Sequence, residues 1–492
     1  PAMCDGITQG YEGMELSLFS RDVIAMSTAI ALSHKVFDGA FFLGVCDKIV
    51  PGLLIGALSF GHLPSIFIPS GPMTSGISNN QKTQARQLFT EGKITREELL
   101  KYEMQSYHDV GTCTFYGTAN SNQMMMEFMG LHLPNSAFIN PNTPLRETLV
   151  RQAAIHLATN KVMPIGQLLD EKNIINAMVG LMATGGSTNH TIHLIAIARS
   201  AGIIIDWEDF DAISNITPLL ARVYPNGKAD INQFQAAGGI AFIIKELLKN
   251  GLLHEDIHTV MGEGMNPYTK EPFLIDGKLH YEQGTSNSKD KSILREVTDP
   301  FSPNGGVKIL KGNLGRAIIK ISAIEEKHQV IQAPAEIFHS QEEFLQAFQE
   351  GKLKKDFVAI LRFQGPRANG MPELHKLTSP LGVLQDEGYK VALLTDGRMS
   401  GASGKIPCAI HTSPEALSGG NIAKIKEGDM ILLDSKSGKL EALVSQQEWD
   451  LRQPLKRYEQ KVFGYGRELF ANFRNFSSSA VKGAMIFGEN FI

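Results

Sequence analysis
Three adjacent residues, Cys46, Asp47 and Lys48, put a soft thiolate donor, a hard carboxylate and an amine side by side. A thiolate suits iron or zinc and a carboxylate suits Mg²⁺ or Mn²⁺, so the trio could serve two unlike centres at once. If residues 45–48 are extended, Cys46 and Lys48 project to one side and Asp47 to the other, as alternation along a strand requires. Cys113 lies in a second stretch of interest, a glycine- and hydroxyl-rich loop over 111–120 ahead of a Met-rich run at 122–129. Cys4 precedes the turn signal Asp5-Gly6, and Cys408 stands apart. None of the four lies in a Cys-x-x-Cys run, and two thiolates cannot hold an iron–sulfur cluster, so spacing alone favours a small buried hydrophobe at each. Four cysteines in 492 residues also exclude a dense disulfide framework.

Other residues could bind anions or move protons. Thr184, Gly185, Gly186 and Ser187 read as the start of an apolar helix running to 198, where backbone amides and the helix dipole favour an anion; an ordinary Ser or Thr cap explains them as well. Lys405 and His190 are anion-binding candidates by residue type, against the plain readings of a solvated lysine and a satisfied helix-start histidine. Glu373, in the stretch 364–374, and Ser400, in 395–405, sit on loops that directly follow expected strands.

The elements that would position these residues follow from periodicity. Residues 1–13 read as a glycine-rich loop, 20–34 as a helix capped by Ser20, 40–45 as a strand, 52–60 as a helix and 64–69 as a second strand. That alternation predicts a parallel, doubly wound sheet, with Cys46, Asp47 and Lys48 on a strand-to-helix turn of the kind that binds ligands. Residues 80–107 read as charged, mostly solvated helix, and 203–290 hold further helices with a turn at 224–227. Ser, Lys, Asp, Asn, Pro and Gly crowd together over 285–306, which sets a boundary between domains 1–300 and 301–492. Beyond it the pattern is β-rich, with strands expected at 307–310, 317–322, 356–363, 390–394, 430–433 and 440–444, the last two forming a hairpin.

Composition narrows the class. A chain of 492 residues, 43% hydrophobic and 20% charged, can bury a large core. A formal net charge of -4 gives no global reason to expect nucleic acid or an anionic membrane as partner. With no apolar run of membrane-spanning length and no leader pattern, the expectation is a cytoplasmic protein. The chain opens on Pro1 and runs at once into a turn, so a preceding segment is expected.

Set in order, residues 5–21, 46–52, 112–120, 365–373 and 395–401 resemble the dihydroxy-acid dehydratase/phosphogluconate dehydratase family, essentially end to end. Residues 106–117, 183–190, 224–232 and 400–405 are similar to the branch that acts on 6-phosphogluconate in the Entner–Doudoroff pathway. The resemblance implies an N-terminal α/β domain, a C-terminal barrel-like domain that closes over the site, and a homodimer. It implies that Cys46 and Cys113 ligate an iron–sulfur cluster, 4Fe-4S ahead of 2Fe-2S. The third thiolate normally lies upstream of Asp5, with Cys4 as a substitute and Cys408 left to packing. Asp5, Asp47, Glu373 and Lys48, which is carbamylated in some members, would surround Mg²⁺ or Mn²⁺. Ser400 would be the base, with Lys48 beside the reaction, and Thr184, Gly185, Gly186, Ser187 and Lys405 remain the substrate-phosphate candidates.

The implied reaction converts 6-phospho-D-gluconate to 2-dehydro-3-deoxy-6-phosphogluconate. Its two hard steps are removal of a proton α to a carboxylate and loss of hydroxide from C3, which a hard cation and a Lewis-acidic iron would assist without net electron transfer. A serine can act as base only as an alkoxide held beside positive charge, and Gly397 and Gly401 would let backbone approach the substrate. The alternatives within the class are branched-chain 2,3-dihydroxy acids and unphosphorylated aldonic acids, or a catalytically dead homologue. From another class, an iron–sulfur sensor or electron carrier would leave Asp5, Asp47 and Glu373 without a purpose.

Overall fold
A computed structural model describes residues 3–159, 162–401, 403–457 and 464–487. Pro1 and Ala2 of the expected opening loop, and Ala402 of the loop 395–405, lie outside the described residues. The rest of the opening is helical rather than a loop, with one turn at Asp5–Thr8 and a 3₁₀ segment at Glu12–Leu16. Helix Ser17–Leu32 packs on helix Ile49–Leu58 at very short range. A Cβ on Gly52 would lie 2.5 Å from the Arg21 carbonyl oxygen, so only glycine allows this approach.

The N-terminal sheet is smaller than the alternation predicts. Strand β1 (Ala40–Leu43) runs parallel to β2 (Ser65–Ile68) with Ala40 opposite Ser65, and no further strand joins them among the described residues. Beyond β2 the chain turns to helices whose apolar faces pack on one another. Helices Thr118–Phe128, Glu171–Thr184 and His190–Ser200 are buried nearly all round, as a helix in the middle of a large core must be. Two hairpins, β3 (His258–Thr259) with β4 (Gly262–Glu263) and β5 (Lys270–Ile275) with β6 (Lys278–Gln283), close this part. No helix among the described residues is long and apolar enough to cross a membrane.

The C-terminal part is a closed eight-stranded barrel of β7 (Val307–Gly312), β8 (Gly315–Lys320), β9 (Val330–Phe338), β10 (Phe357–Leu361), β11 (Val391–Thr395), β12 (Cys408–Ser413), β13 (Met430–Asp434) and β14 (Lys439–Ala442), in the order β10-β11-β12-β8-β7-β14-β13-β9. Small and branched side chains such as Ala333, Ile360, Leu394 and Leu433 form one of its buried clusters. Two barrel strands escaped the sequence reading. Strand β9 contains Pro334, which demotes a run read as a central strand, and β12 carries His411, Thr412 and Ser413 among its six residues. Strands β9 to β12 run parallel, so the loops after β10 and β11 leave the same rim. The Asp396 carboxylate accepts from the amides of Phe363, Gln364 and Ala416, tying those loops together, and Glu373 bridges to Arg398.

Candidate active site
The turn of Cys46, Asp47 and Lys48 is not extended. Cys46 takes φ 79 and Lys48 a helical φ of -96, so the expected alternation of side chains fails and Asp47 and Lys48 meet instead. The amide of Asn122 pins the turn, donating to the carbonyls of Cys46 (3.2 Å) and Asp47 (2.9 Å). Two residues earlier on the same helix, Asn120 donates to the carbonyls of Cys113 (2.7 Å) and Phe115 (2.8 Å). One buried helix, Thr118–Phe128, thus holds both cysteine-bearing loops in place.

Asp5, Asp47 and Glu373, all buried, offer carboxylate oxygens that lie within 4.8 Å of one another. Lys48 reaches both Asp5 and Asp47, and the fully buried Arg398 donates to Glu373 (2.7 Å) and Asp47 (3.4 Å). Around them Ser17 donates to Asp5 (2.5 Å), Asn189 to Glu373 (3.0 Å), and Gln9 also reaches Glu373. His193 lies 3.3 Å from Asp47. Three carboxylates face two cations at close range, an arrangement that resists ionisation of all three unless more positive charge arrives. Burial, with Asp47 and Glu373 close by, pushes Asp5 up to about 7. Burial opposes ionisation of Asp47 too, but Lys48, His193 and Arg398 outweigh it and hold that carboxyl well below the usual range. Burial raises Glu373 as well. The donor set is all oxygen and anionic, which fits a hard divalent cation.

A second wall of the same cleft carries sulfur. Cys4, Cys46 and Cys113 all line the cleft, and Ser400 lines it with them. The Cys46 thiol donates to Cys4, which together with the amides of Ile7 and Gly6 lowers Cys4 to about 5 and raises Cys46. Burial pushes Cys113 up to about 11. Three thiols on one wall fit a soft iron centre as the oxygen triad fits a hard one. Gly401, next to Ser400, lies against the start of helix Thr118–Phe128: a Cβ there would lie 2.6 Å from the Thr118 amide nitrogen and 2.9 Å from Ser187 Oγ. The partial positive charge of that helix start therefore lies beside the serine loop.

The other expected anion binders are elsewhere. Thr184 ends a helix rather than starting one, and Gly185 caps it with φ 60. The amides of Gly185, Gly186, Ser187 and Asn189 are bonded within the protein, to Met182, Leu181, Ser121 and Ser187. This turn is buried behind the cleft and braces it through the Ser187–Thr118 hydroxyl pair (2.8 Å). His190 is buried against Ser121 (2.7 Å), and the half-exposed Lys405 pairs with Asp386 off the cleft. Cys408 lies on β12 against the core.

Several residues of the site were missed in the sequence. Arg398 stands two positions before Ser400 in a loop already singled out, and its charge was the available signal. Helix Asn79–Thr90 was read as solvated, yet Lys82 is only 4% exposed and lines the cleft with Arg86. Burial lowers Lys82 to about 8.

Comparisons with known proteins identify the family. Residues 1–268 match the N-terminal model and residues 292–484 the C-terminal model of the dihydroxy-acid/6-phosphogluconate dehydratases. Phosphogluconate dehydratase of Helicobacter pylori strain J99 is 65% identical over 99% of this chain and 82% of its own length. The Pseudomonas aeruginosa phosphogluconate dehydratase is 59% identical over 100% of this chain and 81% of its own, and that of Escherichia coli K12 is 56% identical over 98% and 81%. The chain belongs to the dihydroxy-acid/6-phosphogluconate dehydratase family.

Proposed function
We propose that this chain is a hydro-lyase that removes water from 6-phospho-D-gluconate to give 2-dehydro-3-deoxy-6-phosphogluconate, the dehydration step of the Entner–Doudoroff pathway. The observation that carries the reading is the meeting of three thiols, three carboxylates and Ser400 in one cleft. A sensor or electron carrier has no use for the carboxylate set. Among the family's substrates, the names of the relatives at 55–65% identity favour the phosphorylated sugar acid.

Cys46, Cys113 and Cys4 would hold an iron–sulfur cluster, 4Fe-4S by preference. Asp5, Asp47 and Glu373 would hold Mg²⁺ or Mn²⁺, joined by Lys48 if it is carbamylated. Bound there, these groups supply Lewis acidity toward the leaving hydroxyl and toward the substrate carboxylate. The residues of the chain do the rest. Ser400 takes the proton from C2; the start of helix Thr118–Phe128 favours its alkoxide form, and Arg398 helps Lys48 hold Asp47 ionised in the same cleft. The enol that leaves tautomerises to the 2-keto-3-deoxy acid. In this reading residues 1–300 supply the thiols with Asp5, Asp47 and Lys48, and residues 301–492 supply Glu373, Arg398 and Ser400. The protein works as a cytoplasmic homodimer.

The test is anaerobic incubation of the iron-loaded protein with 6-phosphogluconate, gluconate and a branched-chain 2,3-dihydroxy acid, with the 2-keto product trapped. A phosphorylated keto-deoxy product in clear excess is expected. Turnover of the branched-chain acid alone would move the chain to the other branch, and no product from any acid would overturn the reading.

A further inference from the structure
We propose that Lys82 and Arg86 form the phosphate-binding pole of this cleft, a role that rests on the dehydratase reading above. The two stand four residues apart on helix Asn79–Thr90, so they share one face, and both line the cleft that holds the carboxylate triad. Lys82 is 96% buried by its 4% exposure and forms no salt bridge among the described residues. Its ammonium donates to the Tyr107 hydroxyl (3.2 Å) and lies over the rings of Tyr107 (4.6 Å) and Phe115 (4.9 Å). Aromatic faces stabilise a desolvated cation without neutralising it, so the charge stays open to an incoming anion.

Arg86 is held at both ends. Nη2 and Nε donate to Glu103 (3.0 and 3.3 Å), and Nη1 lies 3.3 Å from His375 Nε2. His375 is only two residues beyond Glu373 of the triad, a span of at most ~7 Å of extended chain. Through His375, Arg86 therefore borders the same cleft as the triad. The hydroxyls of Thr83 and Tyr224, 2.7 Å apart, stand at the same end and offer neutral donors. Lys48 and Arg398 are committed to the carboxylates and Arg86 is shared with Glu103, which leaves Lys82 as the cleft cation without a carboxylate partner among the described residues. A phosphate is drawn to Lys82, whose partners are neutral, and that attraction gives a phosphorylated acid a preferred direction of entry. Lys405, held by Asp386 outside the cleft, has no part in this pole.

The experiment compares the iron-loaded wild type with Lys82→Met, Lys82→Arg, Arg86→Gln and Lys405→Ala, using 6-phosphogluconate and gluconate. Lys82→Met and Arg86→Gln are expected to lower the preference for the phosphorylated acid by about tenfold to a hundredfold in kcat/KM, mostly through KM. Lys82→Arg should retain most of the preference and Lys405→Ala all of it. Iron content, read by absorbance, separates loss of phosphate binding from damage near Cys113. An equal loss on both acids, or a preference that survives Lys82→Met, would overturn the assignment. If the wild type turns over neither acid, the dehydratase reading fails. Calorimetry then decides the pole on its own: tighter binding of 6-phosphogluconate than gluconate, lost in Lys82→Met, supports it, and no such difference overturns it.

Discussion

Cys4-Asp5 and Cys46-Asp47 are the same dipeptide met twice, and each gives a thiol and a carboxylate to the one cleft. Their surroundings differ. Cys46-Asp47 is built into the fold: Asn122 holds both carbonyls, His193 faces the carboxylate, and Cys46 keeps a backbone angle that a non-glycine residue adopts only when its surroundings impose it. Cys4-Asp5 is laid against it from a single helical turn, with Cys4 exposed and Asp5 tied by Ser17. The electrostatics split in the same way, since Asp47 is held ionised and Asp5 tends to keep a proton. A repeated motif thus yields one fixed half-site and one docked half-site.

The largest test of that contrast is at sulfur. Cys46→Ser, Cys113→Ser and Cys4→Ser should each cut turnover by about a thousandfold, ~4 kcal/mol of barrier, with loss of iron and sulfide. Only Cys4→Ser should leave thermal stability of the apoprotein untouched. A Cys4→Ser protein with full iron would leave the docked pair without a role at the cluster.

Next come the carboxylates, whose pH dependences have opposite sign in the metal-free protein. The raised Asp5 gives stability that is present below pH 3.8 and lost as pH rises toward about 7. The lowered Asp47 gives stability that is present above its ordinary 3.8 and lost as pH falls below it. Asp5→Asn should therefore gain stability relative to the parent between pH 4 and 7, and Asp47→Asn should lose it. Denaturant titrations from pH 7 down through 3.8 read both, the Asp5 slope above 3.8 and the Asp47 slope below it, and slopes of the same sign would make the two half-sites equivalent.

Smaller effects lie at the supports. Asn122→Ala leaves two buried carbonyls without their donor and should cost about 1–3 kcal/mol of folding stability, read by urea titration. Ser17→Ala removes one bond from Asp5 and should weaken Mn²⁺ affinity about tenfold, read by titration calorimetry, with little change in stability. An Asn122→Ala protein as stable as the parent would show that the turn at Cys46 is not fixed by this helix.

The parts of the site that were legible are those whose chemistry is local in sequence. Cys46, Asp47 and Lys48 announce themselves by adjacency, the loops of Glu373 and Ser400 by following strands, and the two residues within those loops only by the family resemblance. What was hidden depends on long-range packing. Lys82 and Arg86 lie on a polar helix that periodicity takes for a solvated surface, until the rings of Tyr107 and Phe115 close over it. The turn at Thr184 offered the reverse error, for glycines and hydroxyls that suit an anion also suit a buried helix end. The doubly wound sheet shrank to β1 and β2 because a strand–helix–strand pattern counts only the unit it spans, and the helices after it cover the sheet instead of extending it. Pro334 concealed β9 by a rule that a barrel strand can evade.

Gln9 and Glu373 are in contact across 364 residues of chain, and Arg398 reaches back farther still to Ser17. This has a consequence for the order of events in the cell. While the protein is being synthesised, the thiols at Cys4, Cys46 and Cys113 emerge long before the residues that complete the carboxylate triad and bring the serine to its edge. Until residues 373–401 are made, the three thiols lack the barrel-loop residues that line the finished cleft with them and are open to whatever delivers iron and to whatever oxidises thiols. The late arrival of the barrel loops closes that interval, so conditions that slow completion of the C-terminal barrel should lower iron occupancy without any change in the cysteines themselves.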